Sequence, residues 1–153
     1  MRRINRSALV PYTAREMFVL VDDVAAYPDF LPWCNSAEVH SRSDDIVEAD
    51  IVEATLELKM GAVSKTFTTR NLRRKFESID LALLGGPFKH LSGGWRFKDL
   101  GNDGSKVSLD LEFEFSSRLV DMMFGSFFEE ACNSLIDAFS RRAAAVYGRA
   151  KHD

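Results

Sequence analysis

The C-terminal part of the chain, residues 116–147, carries apolar side chains at helical spacing. With about 100° of rotation per residue, these side chains cover more than half of the helix circumference. The pattern predicts one helix of about 30 residues, roughly 45 Å long at about 1.5 Å per residue. Such a helix needs a large concave partner to cover its apolar face.

The centre of the chain supplies this partner as a series of strands. Residues 107–115 alternate strictly between apolar odd positions and polar even positions, which is the pattern of a half-buried strand. Weaker alternation from residue 37 onward predicts about six antiparallel strands in this part of the chain. The strand that begins near Val47 is the third in chain order, because one strand precedes this series. A short first strand lies before Pro11.

Several local motifs mark the connections between these elements. Thr13 and Glu16 form a capping box that predicts a helix to about Asp23. Two prolines limit the following segment to a short helical turn. In the third strand the apolar positions change from odd to even after Ile51, which predicts a β-bulge. Residues 101–104 predict a tight turn.

An antiparallel sheet with one apolar face, covered by one long helix, defines a two-layer α+β fold. The length of 153 residues predicts a single domain with a core large enough to fold alone. Hydrophobic residues make up 46% of the chain and include 12 Phe, a residue type that lines apolar pockets as well as solid cores. The pattern therefore leaves open whether the space between sheet and helix is filled or hollow.

The net charge argues against some classes of function, and the cysteines and the start of the chain indicate the cellular compartment. A formal net charge of −3 gives no indication of binding to DNA or of bulk nucleic-acid binding. Cys34 and Cys132 form no CxxC pair, and we expect two free thiols in a reducing compartment. No apolar region follows the basic start of the chain, so we predict no signal peptide, no transmembrane segment and a cytoplasmic protein.

Three sequence motifs resemble those of a known family. They occupy residues 27–34 (YPDFLPWC), residues 64–71 (SKTFTTRN), and residues 86–89 and 93–97 (GPFK and GGWRF). The chain is similar over nearly its whole length to the coenzyme-Q-binding START-domain family, part of the polyketide cyclase/START-like superfamily. The resemblance implies the helix-grip fold, in which a curved antiparallel sheet of about six to seven strands surrounds a long C-terminal helix and a cavity.

The resemblance implies three alternative functions. The first is binding of ubiquinone or a related isoprenoid in the cavity, without chemistry and without a required cofactor, by a carrier or chaperone that supports respiration. The second follows from bacterial members that are ribosome association toxins: they bind the large ribosomal subunit and block its association with the small one. The third is a cyclase-like or aromatase-like enzyme.

The residues expected to line a ligand cavity come from the apolar faces of the sheet and the helix, with one arginine added. They are Phe67, Leu81, Leu83, Trp95, Phe97, Phe113, Phe115, Phe124, Phe128, Leu135 and Arg142. Arg142 lies within the apolar face of the predicted helix, where it either extends to solvent or donates a hydrogen bond to a quinone carbonyl or lipid head group. For the aromatic residues the alternative is a solid core.

Two further regions are candidates for contact with a membrane or a partner. Leu119 and Met122 fall on or beside the polar arc of the predicted helix, so we expect them to be exposed. A basic cluster is the second region, and it fits either the large ribosomal subunit or anionic lipid at the inner membrane. Its alternative is a solvated strand end. The cluster contains Arg70, Arg73, Arg74 and Lys75, with Arg2, Arg3 and Arg6 at the start of the chain.

Catalytic and metal-binding motifs are not apparent in the sequence. His40, His90 and His152 lack the i, i+4 spacing of a helical metal site. The chain contains no GxSxG, P-loop or GxGxxG motif. We therefore predict a binding protein with no metal site. Gly125, inside the predicted helix, either loosens the helix at a pocket mouth or allows another group to pack closely against it.

Overall fold

The computed structural model describes residues 1–42, 49–101 and 104–148. Its elements in chain order are β1 (Arg2–Val10), α1 (Ala14–Asp22), a 3₁₀ helix (Val24–Asp29), β2 (Cys34–Arg42), β3 (Ala49–Met60), β4 (Val63–Arg74), β5 (Ser78–Gly85), β6 (Phe88–Gly101), β7 (Gly104–Phe115), α2 (Arg118–Asn133) and α3 (Leu135–Tyr147). The predicted strand start at Val47 and the predicted turn residues Asn102 and Asp103 lie outside the described residues.

The strands form one seven-stranded antiparallel sheet in the order β1-β7-β6-β5-β4-β3-β2. Along β7, every odd-numbered residue from Ser105 to Phe115 is buried, while the even-numbered side chains are exposed or partly exposed. The alternation places one face of the curved sheet against the C-terminal helices and leaves the other face to solvent. The predicted α+β helix-grip architecture is confirmed.

The predicted capping box starts α1. The Thr13 hydroxyl accepts a hydrogen bond from the backbone N–H of Glu16 at 3.0 Å, and the Thr13 backbone N–H donates to the Glu16 carboxylate at 2.9 Å. These reciprocal bonds satisfy two donors that the first helical turn would otherwise leave free. The 3₁₀ helix that follows α1 matches the predicted short helical turn.

The predicted bulge in β3 is wrong. β3 pairs with β4 in continuous register from Ala49 to Met60, and the register shifts lie between β2 and β3 instead. Val52 points into the core, whereas Ile51 is 48% exposed and pairs across the strands with Leu72. The apolar positions in the sequence change from odd to even because Ile51 packs beside Leu72 on the outer face of the sheet, and no residue is inserted.

The predicted single C-terminal helix is also wrong in one respect, because Ser134 separates α2 from α3. The Ser134 hydroxyl donates to the carbonyl of Ala131 at 2.8 Å. In an uninterrupted helix that carbonyl would accept from the backbone N–H four residues later. The side chain thus competes with the backbone for one acceptor and interrupts the helix at this point.

Candidate functional site

An internal cavity of about 80 Å³ lies between the inner face of the sheet and the junction of α2 with α3. Small-molecule sites in proteins usually measure about 300–1,000 Å³. The cavity therefore accommodates a ring-sized group in this conformation, and a complete polyprenyl quinone requires it to open. Residues of β3 to β7 and of the helices line it. Its apolar lining includes Val21, Val24, Ala54, Leu56, Ile79, Leu91, Leu111 and Phe139.

Five of the predicted ligand residues line this cavity: Phe67, Leu81, Trp95, Phe128 and Leu135. The other six lie elsewhere: Leu83, Phe97, Phe113, Phe115, Phe124 and Arg142. Only part of the inner faces of the sheet and the helices therefore borders open space, and ligand contact by the eleven residues stays a prediction.

A solid aromatic cluster accounts for several of the residues outside the cavity. The ring of Phe128 lies 4.9 Å from that of Phe113, 5.3 Å from Phe88 and 6.0 Å from Phe115, measured between centroids. Edge-to-face and tilted packing of these rings fills the space between sheet and helix. Phe128 thus joins the filled part of the interior to the cavity.

Asn71 and Thr69 bring polar atoms to the cavity wall. Asn71 is 6% exposed, and its side-chain carbonyl accepts a hydrogen bond from the Thr69 hydroxyl at 2.7 Å. The Asn71 side-chain amide donates to no other described residue. The sequence contained a signal for this placement, since residues 67, 69 and 71 share one face of a strand. Asn71 can therefore donate a hydrogen bond to a polar group inside the cavity.

The charged side chain of the cavity wall is paired. Asp22 forms an ion pair with Arg73, and both side chains are 12% exposed. Nearby, the Tyr27 hydroxyl donates to the carbonyl of Val21 at 2.5 Å. Burial raises the pKa of Tyr27 well above its usual range, and Asp22 adds to this effect. Both groups thus serve the packing of this wall.

The two cysteines are free and buried. Cys132 lines the cavity, and burial raises the pKa of its thiol. Burial also raises the pKa of Cys34 to about 11, with a smaller contribution from Glu57. Both side chains therefore stay neutral at physiological pH, which matches apolar packing and disfavours nucleophilic chemistry.

Arg142 packs against another aromatic residue outside the cavity. Its guanidinium carbon lies 4.9 Å from the centroid of the Phe30 ring, and a guanidinium nitrogen lies 4.0 Å from the Asp29 carboxylate. The cation–π contact explains how an arginine fits within the apolar face of α3. Hydrogen bonding of Arg142 to a ligand head group remains a prediction.

A surface groove of about 450 Å³ lies next to the cavity, between the β3–β4 hairpin and α2. Trp33 lines both the groove and the internal cavity. Ser134 lies at the groove, so the interruption between α2 and α3 faces the same region. The indole of Trp33 is thus part of the wall that separates the two spaces.

The predicted exposed residues at the start of α2 are at the surface. Leu119 is 66% exposed and Met122 is 76% exposed. On another side of α2, the guanidinium of Arg2 binds Asp121 and Glu129 and lies over Gly125. A Cβ at residue 125 would stand 2.4 Å from a guanidinium nitrogen of Arg2, so the glycine allows close packing. The hydrogen bond from Arg2 lowers the pKa of the Asp121 carboxyl.

The predicted basic cluster is divided by the structure. Arg70 pairs with Glu53 at 3.0 Å, and Arg73 points inward to Asp22. Arg74 and Lys75 are exposed. The N-terminal arginines each have other contacts: Arg2 at α2, Arg3 with Glu112, and Arg6 with Asn133 at 2.9 Å. Only part of the cluster predicted from sequence is therefore available to a partner.

Within residues 1–42, 49–101 and 104–148, no group of three or more His, Cys, Asp or Glu side chains has the arrangement of a metal site. Across the same ranges, no helix has both the length and the apolar character that a membrane span requires.

A curved antiparallel sheet, two C-terminal helices and an apolar cavity between them define a START-like protein. Residues 10–140 match the family described as "Polyketide cyclase / dehydrase and lipid transport", and the chain belongs to this family. The resemblance found in the sequence motifs is confirmed.

Individual relatives refine this assignment. The chain is 46% identical over 148 residues to the ribosome association toxin RatA of Vibrio cholerae, covering 97% of this chain and 99% of the relative. It is 28% identical to the mitochondrial coenzyme Q-binding protein COQ10 homolog B of Xenopus laevis, covering 95% of this chain and 59% of that protein. The solution structure of the 18 kDa protein CC1736 from Caulobacter crescentus has 37% identity and a TM-score of 0.75, with 97% and 100% of the two chains covered.

Proposed function

We propose that this protein is a ribosome association toxin that binds the large ribosomal subunit and blocks its joining to the small subunit. The observation that carries the proposal is the 46% identity to a protein named for ribosome association, over nearly the full length of both chains. The relative named for coenzyme Q binding is more distant, at 28% identity. The proposal places the protein in the cytoplasm.

The site supports binding without catalysis. An enzyme of the cyclase kind needs acid and base groups that converge on the substrate. The cavity lining contains no histidine among the described residues, and its carboxylate, Asp22, is paired with Arg73. A protein that acts by occupying a surface of the ribosome needs no such groups.

The proposal predicts a change in the ribosome profile of cells that overexpress the protein. We expect free subunits to increase and assembled ribosomes to decrease, because a bound large subunit cannot join its partner. The measurement is a sucrose gradient of the cell extract, with uninduced cells as the control. The purified protein should sediment with isolated large subunits, and added salt should weaken this binding.

An unchanged ratio of subunits to assembled ribosomes would contradict the proposal, provided that the overexpressed protein is folded. Sedimentation with small subunits alone would contradict it as well. Folding can be checked on the same preparation by circular dichroism.

A second candidate function is the binding of an apolar molecule that carries a carbonyl group, such as a quinone or a related isoprenoid. The specific observation is the Asn71 amide at the wall of an otherwise largely apolar cavity. Burial of the apolar part would contribute about 25 cal/mol per Å². The Asn71 amide would donate a hydrogen bond to the carbonyl. This candidate is compatible with a carrier or chaperone that visits the inner membrane as a peripheral protein.

The ligand proposal predicts that protein purified from cells contains a lipid that organic solvent extracts and mass spectrometry identifies. Asn71→Ala should retain less of it, because the variant loses the donor without placing additional atoms in the cavity. Asn35→Ala is the matched control, since Asn35 is exposed and lies outside the cavity lining. Wild-type protein that neither carries nor takes up a quinone or other polyprenyl compound would exclude this function.

A further inference from the structure

The strand register brings basic residues from three strands to one end of the outer sheet face. Arg74 of β4 and Arg96 of β6 lie in one cross-strand row, both aligned with Ser78 of β5. Two residues further along β6, Lys98 lies directly opposite Lys106 of β7. Each of these four basic residues is exposed. We call Arg74, Arg96, Lys98 and Lys106 the basic face.

These side chains point to solvent because their neighbours point to the core. Trp95 and Phe97 flank Arg96 and are buried, and Val107 follows Lys106 and is buried as well. In a strand, adjacent side chains lie on opposite sides of the sheet. The same periodicity that builds the core therefore displays the basic residues on the outer face.

The pairing of Lys98 with Lys106 is unfavourable in the isolated protein. Like charges directly opposite each other destabilise a sheet. Neither lysine has a carboxylate within 4.0 Å among the described residues, and the same is true of Arg74. Arg96 has an ion pair with Asp80 at 2.8 Å. The arrangement thus leaves three cations that an anionic partner can neutralise.

Two further cations lie at the rim of the basic face: Lys75 in the turn after β4 and Arg15 in the first turn of α1. The guanidinium of Arg15 and the ammonium of Lys75 both lie 5.2 Å from the centroid of the Phe76 ring. Phe76 has a positive φ of 64°, and its ring packs on Phe18 of α1 at 5.7 Å. Glu77 is the exposed acidic neighbour, while Asp99 accepts a hydrogen bond from the first N–H of α1. The Phe76 ring thus contacts both cations.

The polar composition of this region favours a phosphate backbone over a lipid surface. Ser108 continues the row next to Arg96, and Ser7 of β1 lies opposite Ser108. Hydroxyl groups between basic side chains are typical donors to phosphate oxygens in nucleic-acid complexes. Exposed apolar side chains at the margin of the face include Leu9 and Leu100, whereas insertion into a membrane requires a continuous apolar surface.

We propose that the basic face binds the phosphate backbone of ribosomal RNA on the large subunit. This inference rests on the proposed function and identifies the chemistry of the partner surface. Arg74 and Arg96 lie in the same cross-strand row on two strands that are separated by β5, so their backbones are about 10 Å apart. The Lys98–Lys106 pair lies about 7 Å further along β6. The outer face of the sheet can therefore contact several phosphates at once.

The test compares Lys98→Gln/Lys106→Gln with Lys59→Gln/Lys65→Gln in binding to purified large subunits. The control lysines, Lys59 and Lys65, are exposed near the turn of the β3–β4 hairpin, at the other end of β4 from Arg74. Both double variants lose the same charge. We expect the Lys98/Lys106 variant to bind roughly tenfold more weakly at physiological salt and to lower the salt slope by about two, as expected for two lost phosphate contacts. The control variant should bind like wild type.

Each other outcome overturns the inference in a recognisable way. If wild type binds the subunit and both double variants bind equally well, the basic face is not the contact, while the proposed function stands. If wild type binds no subunit, the proposed function and this inference fail together. If the Lys98/Lys106 change abolishes binding to phosphatidylglycerol vesicles and leaves subunit binding intact, the face binds lipid instead of RNA.

Discussion

Gly93→Ala is expected to destabilise the protein by about 3 to 5 kcal/mol, because both the backbone angle and the space exclude a side chain. Gly93 has a φ of +130°, which a residue with a Cβ rarely adopts. A Cβ at this position would lie 2.0 Å from the carbonyl oxygen of Asp110 and 2.9 Å from the Cα of Leu111. Both atoms belong to the backbone of β7, so no side chain can move aside to relieve the overlap.

Gly85→Ala is the matched control for this experiment. Gly85 is also in a strand, but a Cβ there meets no atom within 4 Å and the backbone angle is ordinary. We expect its free energy of unfolding to be unchanged or higher by up to about 1 kcal/mol. Urea denaturation followed by circular dichroism measures both variants. Equal stability of the two variants would show that β6 does not approach β7 as closely as described.

Phe128→Ala is the second substitution with a large expected effect. The ring of Phe128 is buried and contacts the rings of Phe113, Phe88 and Phe67, with centroid distances of 4.9, 5.3 and 5.9 Å. Truncation of a buried phenylalanine removes transfer free energy and leaves a void, which together amount to about 3 to 5 kcal/mol. The void would be continuous with the existing cavity, because Phe128 already lines it.

The neighbouring residue supplies a control with the same chemical change. Phe127 is only partly buried and lines the outer groove. We expect Phe127→Ala to lower the free energy of unfolding by about 1 kcal/mol, in proportion to its smaller buried area. Chemical denaturation of both variants gives the comparison. If Phe127→Ala lowered the free energy of unfolding more than Phe128→Ala, the face of α2 that carries Phe127 would be the one packed into the core, contrary to this structure.

The sequence was sufficient to predict the elements whose patterns are local. The alternation in residues 107–115 predicted β7, and the Thr13–Glu16 capping box predicted the start of α1. Both patterns depend only on backbone geometry and on side chains a few residues apart. The α+β fold then followed from the need of one apolar helix face and one apolar sheet face to cover each other.

Errors arose where a tertiary contact or a competing hydrogen bond decided the outcome. Ile51 lies on the outer face opposite Leu72, although its apolar character favoured an inward position. Ser134 interrupts the C-terminal helix through a bond to a carbonyl within the same helix. Serine is compatible with a helix interior in many contexts, so its identity alone does not predict a break.

The sequence pattern predicts which side chains of the candidate site point inward, but not which of them border the cavity. Periodicity identifies which residues of a strand point inward, and this placed Phe67 and Trp95 correctly beside the cavity. It does not distinguish residues that border open space from residues such as Phe113, which other rings cover. The basic face was missed because the distance between Lys98 and Lys106 depends on the register between two strands.

The contact of Arg2 with α2 has a practical consequence for work on this protein. Its guanidinium joins β1 to Asp121 and Glu129, and Gly125 leaves room for it. An affinity tag fused directly before Met1 would end one residue from this junction. Binding and stability measurements are therefore best made without a tag at this position.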